Sequence, residues 1–161
     1  MSESLIVNND ISKEEKYKQL LPQLRALLEG ENDVVANYAN TAAALKQAFG
    51  FFWVGFYIVK QDQLVLGPFQ GTIACTRINH GKGVCGTAWK EQRIVIVEDV
   101  EQFPGHIACD ANSRSEIVVP LFDDRKEIFA ILDIDSDQLS HFDQTDAFYL
   151  QQVTQILGNK I

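Results

Sequence analysis

The fold class is decided by the stretch Phe51-Phe52-Trp53-Val54-Gly55-Phe56-Tyr57-Ile58-Val59. It is an aromatic and β-branched run, and Gln61-Asp62-Gln63 separates it from a second apolar run at residues 64–69. Two such runs around a short polar turn predict a β-hairpin. Because side chains alternate along a strand, the first strand has two distinct faces. One face is predicted to carry Trp53, Gly55 and Tyr57, and the other Phe52, Val54 and Phe56.

Two amphipathic helices are predicted before this hairpin. Ser12 and Glu15 have the spacing of a capping box. The apolar stripe that follows at the helical period consists of Tyr17, Leu20, Leu21, Leu24, Leu27 and Leu28. Pro22 lies inside this stripe and predicts a kink or a division into two short helices. Asp33 is placed to cap the second helix, which Gly50 ends.

The rest of the chain alternates loops, short strands and two more helices. The predicted elements are a loop at residues 71–83, a helix at 84–90, a strand at 93–97, a long polar connection at 98–114, a hairpin of strands 116–121 and 127–135, and a terminal helix that Asp143 caps. Connections as long as the polar one are usually functional or disordered. The order of elements predicts an α+β fold around a mostly antiparallel sheet.

Length and composition favour one domain in the cytoplasm. A chain of 161 residues, 46% of them hydrophobic, can bury a core without metal or disulfide support. The net charge of −8 argues against nucleic acid and anionic membranes as partners. No apolar run approaches the ~20 residues of a membrane span. The start, Met1-Ser2-Glu3-Ser4, lacks the basic and apolar parts of a signal peptide.

All three cysteines lie in the middle of the chain and are the main candidates for chemistry. Cys75 and Cys109 fall in predicted loops, with Arg77 near the first and Arg114 near the second. A nearby cation favours the thiolate, so both have features of a redox nucleophile. Cys85 lies among glycines at a predicted helix start, where a free cysteine can also pack as a small hydrophobe.

A metal site and a hydrolase site have little support in the sequence. No Cys-x-x-Cys spacing occurs, and of the three histidines only His106 could share a local site with Cys109. The nucleophile elbow of serine hydrolases is also absent from the sequence. We therefore expect neither a metal nor another cofactor.

Carboxylates at strand ends are candidate proton donors. Glu116 lies at the start of an apolar strand, where burial would raise its pKa toward neutrality. Asp133 and Asp135 share one face at the end of another strand, although a solvated strand end is the alternative interpretation. Trp53 and Tyr57 are candidate walls for an apolar or cationic ligand, or else ordinary core aromatics.

The glycine run Gly81-Lys82-Gly83 precedes a predicted helix. Backbone N–H groups at such a helix start can bind an anion. The spacing of a phosphate loop is absent from the sequence, so a flexible turn is the equal alternative.

Four motifs together resemble a GAF domain, and specifically the free methionine-(R)-sulfoxide reductases. They are Phe52-Trp53-Val54-Gly55-Phe56-Tyr57, Gly81-Lys82-Gly83-Val84-Cys85-Gly86, Cys109-Asp110-Ala111-Asn112-Ser113-Arg114-Ser115-Glu116-Ile117-Val118-Val119-Pro120 and Leu132-Asp133-Ile134-Asp135-Ser136. The resemblance implies one domain over residues 1–161, with an N-terminal helical segment at 1–31 and a GAF core at 33–157. It implies a GAF-like, PAS-related α+β fold, with a six-stranded antiparallel sheet flanked by helices.

The resemblance also implies roles for individual residues. It assigns catalysis to Cys109 as the attacking thiol, Cys75 as the resolving thiol, Cys85 as a third cysteine that assists recycling, and Glu116 and Asp135 as carboxylates. It assigns substrate binding to Trp53, Tyr57, Asp133, Glu116 and Asp135. The sequence leaves open which of the two aspartates acts in the pocket, and whether Cys75 or Cys85 resolves first.

The implied activity is the thiol-dependent reduction of free L-methionine-(R)-sulfoxide to L-methionine, which links the protein to oxidative stress. Cys109 would become a sulfenic acid and then condense with Cys75 to an intramolecular disulfide, which thioredoxin would reduce. The alternatives are a GAF-type small-molecule or redox sensor without turnover, and an oligomeric scaffold. The oligomeric state is left open, with a homodimer as one option.

Overall fold

A six-stranded antiparallel sheet forms the centre of the fold. The computed structural model describes residues 4–159. Its strands are β1 (Trp53–Lys60), β2 (Gln63–Gln70), β3 (Arg77–Asn79), β4 (Val95–Val97), β5 (Ser115–Phe122) and β6 (Ile128–Ser136). They pair in the order β3-β2-β1-β6-β5-β4, and every neighbouring pair is antiparallel. Both predicted hairpins and the α+β class are confirmed.

Helices cover the two faces of the sheet unequally. The helices are α1 (Lys13–Leu28), α2 (Val34–Phe49), α3 (Gly83–Glu91) and α4 (Gln144–Gly158), with a 3-10 turn at Val100–Gln102. Buried residues of α1, α2 and α4 share one core with Val54, Phe56 and other residues of that sheet face. The opposite face packs against α3, and Trp53 and Tyr57 lie there. The predicted alternation along β1 is therefore confirmed for these four residues.

Local capping explains where the helices begin and end. The Ser12 hydroxyl accepts a hydrogen bond from the Glu15 N–H at 3.2 Å, and Glu15 accepts one from the Ser12 N–H at 3.0 Å. Asp33 caps α2 by accepting from the Ala36 N–H at 2.8 Å. Gly50 ends α2 in the left-handed conformation, with φ of 68°. Side-chain caps satisfy N–H groups that a helix start leaves without a partner, so these boundaries were readable from the sequence.

Three expectations about the elements were wrong. The helix containing Pro22 is not divided, because Pro22 is exposed and buried leucines on both sides of it pack into the core. Residues 71–83 are not all loop, since β3 forms there with only Ile78 buried. Phe52 precedes β1, so the alternation does not reach it, and it packs on the same side as Trp53.

The N-terminal helix belongs to the same hydrophobic core as the sheet. The ring of Tyr17 from α1 stacks on Tyr149 from α4, with centroids 5.1 Å apart. This packing favours one domain, while the division at residues 31–33 stays a prediction, and residues 1–3 and 160–161 lie outside the described part. Within residues 4–159, none of the helices is long and apolar enough to cross a membrane.

Candidate active site

Three carboxylates meet on the sheet face that carries α3. Glu116 of β5 pairs directly with Asp135 of β6, and Asp135 pairs on its other side with Trp53 of β1. Asp133 lies two residues earlier on β6, opposite Gly55. Because directly paired residues present their side chains on the same face, this register brings the three acids and the indole together. Glu116 and Asp133 are 5% and 7% exposed, so two of these acids are buried.

Burial raises the pKa values of all three carboxyl groups. For Glu116 burial is the largest cause, and the charges of Asp133 and Asp135 add to it. Burial raises the pKa of Asp133 to about 6. Burial and the charge of Asp133 raise the pKa of Asp135, against a hydrogen bond from the Ser113 hydroxyl that favours the ionised form. Since neighbouring acids in a dry site cannot all ionise together, the cluster retains protons near neutrality.

The buried end of this cluster is suited to a positive charge. Ligand atoms of Cys85, Glu116 and Asp133 lie within 4.8 Å of one another. Asp133 Oδ1 is buried and has no hydrogen-bond partner among the described residues. A buried acceptor without a donor is costly, so a group with several N–H donors or a metal ion would be stabilised there. This set lies in a cleft whose lining includes Trp53, Tyr57, Cys85, Cys109, Glu116, Asp133 and Asp135. The pair that the sequence suggested as a local metal site, Cys109 and His106, also lines this cleft but is not part of the set.

Cys85 is a buried thiol whose proton is held firmly. It is 4% exposed, and its Sγ donates to Glu116 Oε1 at 3.7 Å. Burial raises the pKa of Cys85 well above its usual range, and the charges of Asp133 and Glu116 add to this. Since the thiolate is the reactive form, Cys85 is a poor nucleophile in this state.

Trp53 is held in position by two glycines and a ring. A Cβ on Gly55 would lie 2.6 Å from the indole and 2.3 Å from Phe69 Cβ, and one on Gly71 would lie 2.5 Å from the indole. The Phe69 ring stacks on Trp53 with centroids 5.2 Å apart. The Tyr57 ring lies 6.2 Å away. The absence of side chains at Gly55 and Gly71 therefore makes room for an aromatic wall beside the acids.

The two other cysteines are joined to each other, and one of them, Cys109, lines this cleft. Cys75 and Cys109 form a disulfide with Cα atoms 5.2 Å apart, although they are 34 residues apart in the chain. Both are half-buried, in contrast to Cys85. The Tyr57 hydroxyl donates to the Cys75 carbonyl at 2.9 Å, which fixes this loop to the sheet. The pairing that the resemblance implied is thus present, and Cys109 lines the same cleft as the three acids.

The sequence of this chain matches that of a known protein family. A sequence model of the GAF domain matches residues 29–161. The chain belongs to the GAF domain family.

This GAF domain is similar over nearly its whole length to proteins from other organisms. It is 56% identical over 160 residues to GAF domain-containing protein A of Dictyostelium discoideum, covering 99% of this chain and 100% of that protein. It is 46% identical over 144 residues to the free methionine-R-sulfoxide reductase of Escherichia coli, covering 89% and 87%. An X-ray structure of free methionine-R-sulfoxide reductase from Neisseria meningitidis in complex with its substrate superposes with a TM-score of 0.95 at 51% identity, covering 99% and 95%. The resemblance stated from the motifs is confirmed.

The expected arginines are not part of the site of this GAF domain. Arg77 is exposed and donates to Gln63 Oε1 at 3.2 Å, because strand alternation in β3 points it away from buried Ile78. Arg114 is also exposed, and neither arginine lines the cleft. The cation that lines it is Lys82. The arginines that follow Cys75 and Cys109 in sequence therefore do not contribute a charge to the lining of the cleft.

The start of α3 faces the cleft without a side-chain cap. Lys82, at the N-cap position, makes no capping hydrogen bond, and Gly83, Val84 and Cys85 line the cleft in the first turn. The N–H groups of Gly81 and Lys82 are already bonded, to the carbonyls of Gly86 at 2.9 Å and Asn79 at 3.1 Å. The first-turn N–H groups of a helix have no partner within it. If the glycine run binds an anion, the N–H groups that can do so are therefore those of residues 83–85.

Several cleft residues were missed in the sequence. They are Ile73 and Ala74 before Cys75, Ile107 before Cys109, and Asp110 and Ser113 after it. Their closeness to the cysteines was the only available signal, because loop conformation decides which of them point inward.

Proposed function

We propose that this GAF domain is a free methionine-(R)-sulfoxide reductase, which converts free L-methionine-(R)-sulfoxide to L-methionine. The observation that carries the proposal is the Cys75–Cys109 disulfide, whose Cys109 lines the same cleft as the buried, proton-holding acids. A thiol that can be oxidised next to a proton donor is what reduction of a sulfoxide needs. The named activity of the relatives described above supports the same conclusion.

In the first step Cys109, as the thiolate, attacks the sulfur of the sulfoxide. The sulfoxide oxygen takes a proton from the carboxyl cluster, and Glu116 or Asp135 donates this proton. The sulfur–oxygen bond of the substrate breaks, the oxygen ends on Cys109 as a sulfenic acid, and methionine leaves. The substrate sulfur is reduced by two electrons and the Cys109 sulfur is oxidised by two.

In the second step the Cys75 thiol displaces the oxygen of the sulfenic acid. The Cys75–Cys109 disulfide forms and one water leaves, with both protons accounted for by the Cys75 thiol and the sulfenic hydroxyl. An external dithiol then restores both thiols by disulfide exchange. We propose thioredoxin for this role, because Ile73 and Ile107 each lie two residues before a disulfide cysteine and are 89% and 39% exposed. Apolar side chains beside an accessible disulfide favour docking of another protein.

Substrate recognition follows from the charges in the cleft. The ammonium group of a free amino acid has three N–H donors and can satisfy Asp133 Oδ1 and its acidic neighbours. The substrate carboxylate would lie at the N–H groups of residues 83–85, near Lys82. The S-methyl group would contact Trp53 and Tyr57. A methionine within a peptide lacks both charges, and the buried acids would then lose their partner.

The substrate preference is testable with a small change of substrate. We expect free methionine-(R)-sulfoxide to be reduced with a far higher kcat/KM than its N-acetyl form, because acetylation removes the ammonium. Comparable kcat/KM values for the two compounds would contradict this account of the pocket.

The activity itself is tested by replacing the cysteines one at a time. Cys109→Ser should abolish reduction of free methionine-(R)-sulfoxide even with dithiothreitol. Cys75→Ser should release methionine stoichiometrically in the first turnover and then fail to turn over with thioredoxin. Binding without turnover in the unmodified protein would favour the GAF sensor instead, and normal thioredoxin-driven rates in Cys75→Ser would assign the resolving role to Cys85.

The proposed activity also bears on where the protein is located. We propose a cytoplasmic location, where dithiol reductants keep Cys85 and the catalytic pair reduced. The homodimer stays a prediction, which sedimentation analysis of the purified protein decides.

A further inference from the structure

A side-chain hydrogen bond joins the two loops that carry the reactive cysteines. Thr72 Oγ1 donates to Asp110 Oδ2 at 2.6 Å, across 38 residues of sequence. Thr72 lies three residues before Cys75, and Asp110 directly follows Cys109. The two loops are therefore linked twice, once by the disulfide and once by this hydrogen bond.

The Thr72 end of the link is fixed to the sheet. The Thr72 carbonyl accepts a hydrogen bond from Trp53 Nε1 at 2.9 Å. The preceding Gly71 has φ of 145° and packs its backbone against the indole, where a Cβ would lie 2.5 Å away. The Cys75 carbonyl is in turn held by the Tyr57 hydroxyl. The Cys75 loop is thus attached at both ends to aromatic side chains of β1.

The Asp110 end of the link lies in a compact turn. Asp110 Oδ1 accepts hydrogen bonds from the Asn112 N–H at 2.8 Å and from its side-chain Nδ2 at 3.0 Å. The second oxygen is thereby left to face Thr72. The Thr72 hydroxyl is the largest cause that lowers the pKa of Asp110, so the acceptor stays charged at neutral pH. A hydrogen bond to a charged acceptor is stronger than one between neutral groups.

We propose that Thr72 and Asp110 are positioning residues that keep Cys109 within reach of Cys75 while the disulfide is open. This inference rests on the proposed function for its role in turnover. Once the disulfide is reduced, the hydrogen bond still ties the long 98–114 connection to the sheet. It therefore raises the effective concentration of one sulfur at the other, for the step in which sulfenic acid and thiol condense with loss of water.

The test compares Thr72→Val with Thr72→Ser in the full chain. Valine keeps the shape of threonine but removes the hydroxyl, whereas serine keeps the hydroxyl and removes only a methyl group. Thr72 is exposed and does not itself line the cleft, so neither change replaces a side chain that contacts the substrate. Thermal unfolding of both variants verifies that each is folded before the measurements below.

The first measurement needs no substrate. Equilibration with mixtures of reduced and oxidised glutathione gives the stability of the Cys75–Cys109 disulfide relative to the open dithiol. We expect Thr72→Val to weaken the disulfide by roughly three- to tenfold, the size of a partly exposed charge-assisted hydrogen bond, and Thr72→Ser to match the unmodified protein. Equal constants for all three proteins would overturn the proposal.

The second measurement separates the two chemical steps. With free methionine-(R)-sulfoxide and no reductant, Thr72→Val should release methionine at the unmodified rate but form the disulfide several-fold more slowly, with sulfenic acid trapped by a dimedone-type reagent. Slower methionine release with an unchanged ratio of sulfenic acid to disulfide would contradict a positioning role. If the unmodified protein releases no methionine, the proposed function fails, while the glutathione equilibrium still decides whether the link positions the cysteines.

Discussion

At the residue scale, Glu116 is one of the two carboxyl groups proposed to donate the proton that the reaction uses, with Asp135 as the other. Burial and two neighbouring acids raise its pKa, so it can donate near neutrality. We expect Glu116→Gln to slow first-turnover methionine release by about 10²- to 10⁴-fold, the usual contribution of a positioned acid. The unmodified rate should fall as pH rises through the raised pKa values of the cluster, because the donor loses its proton. Rapid-quench measurement of methionine between pH 5 and pH 9, roughly the range over which raised carboxyl pKa values act, tests this, and a Gln variant with the same alkaline fall would exclude Glu116 as the donor.

Ionisation of Asp133 lowers the stability of the folded protein, whereas ionisation of most carboxylates raises it or leaves it unchanged. Burial raises its pKa to about 6, above its value in the unfolded chain. The unfolded state therefore loses its proton first, and stability falls as pH rises from about 4 to about 6. We expect Asp133→Asn to be more stable than the unmodified protein at neutral pH, on the order of 1–3 kcal/mol, and nearly equal to it at the acidic end.

Urea unfolding of both proteins at several pH values measures this difference directly. The gap in unfolding free energy should widen as pH rises and then level off above the folded-state pKa. A gap that does not change with pH would show that Asp133 pays no ionisation penalty in the folded protein. The same variant should lose affinity for free methionine-(R)-sulfoxide, because one carboxylate that would pair with the substrate ammonium is replaced by a neutral amide.

What the sequence could reveal about residues depended on regular alternation. Glu116, Asp133 and Asp135 were predicted as candidates because each sits on a recognisable strand, where side-chain direction follows the period of two. The direction of Arg77 was not predictable, because this residue lies on a strand of three residues that the sequence does not reveal. The Thr72–Asp110 contact lay beyond local reasoning, because it joins two loops whose paths only the folded sheet defines.

At the element scale, the β1–β2 pairing requires a residue without a side chain at position 55. Gly55 pairs with Phe69, and a Cβ there would lie 2.3 Å from Phe69 Cβ. We expect Gly55→Ala to destabilise the protein by about 1–3 kcal/mol, as overpacking does, and to raise KM by displacing the indole of Trp53.

Gly67 offers a matched control for this prediction, because it lies in the same hairpin. A Cβ at Gly67 would have its closest contacts at 3.1 Å, to Ile58 Cδ1 and the Phe56 carbonyl oxygen. Urea midpoints and KM for the two alanine variants provide the comparison. If Gly55→Ala costs no more than Gly67→Ala, the close approach of Trp53 and Phe69 is not what selects glycine.

The N-terminal ends of α1 and α4 are joined by hydrogen bonds to one buried carboxylate. Asp146 is fully buried and accepts from Lys13 Nζ at 2.5 Å, the Tyr17 hydroxyl at 2.8 Å and the Asp143 N–H at 2.9 Å. Removing the acceptor leaves the Tyr17 hydroxyl without its partner, while Lys13 keeps the Asp143 carboxylate at 3.1 Å, so Asp146→Ala should cost about 2–3 kcal/mol. Tyr17→Phe removes one hydrogen bond and should cost about 1 kcal/mol.

These two variants should leave the rate of methionine release unchanged, because the hydrogen bonds of Asp146 lie in the helix layer on the sheet face opposite the cleft. Unfolding free energies and first-turnover rates of the folded fraction measure both effects. Equal losses of stability in Asp146→Ala and Tyr17→Phe would show that the carboxylate contributes only through the tyrosine.

Elements were easier to predict where local signals end them. The capping residues Ser12, Asp33 and Asp143 and the glycine after α2 fixed helix boundaries through contacts within a few residues. Pro22 misled the prediction, because tertiary burial of the neighbouring leucines outweighs the hydrogen bond that proline removes. The short edge strand β3 was missed because three residues are too few to display a period.

At the scale of the whole molecule, the two faces of the sheet divide stability from chemistry. Three helices cover one face with an apolar core, whereas the other face carries a single short helix and two long loops. Buried acids weaken the fold, and the large core opposite offsets that cost. Both loops reach the cleft from different edges of the sheet, which is how cysteines far apart in sequence meet over one pocket.

The central claim is that Cys109 reduces free methionine-(R)-sulfoxide and is then captured by Cys75. The most direct measurement mixes the fully reduced protein with each epimer of free methionine sulfoxide, without any reductant, and follows methionine and the disulfide by mass spectrometry. The account predicts that the R epimer yields methionine and the Cys75–Cys109 disulfide in equal amounts, limited by the amount of protein, while the S epimer yields neither. Methionine formed without that disulfide, or no methionine from the R epimer, would contradict it.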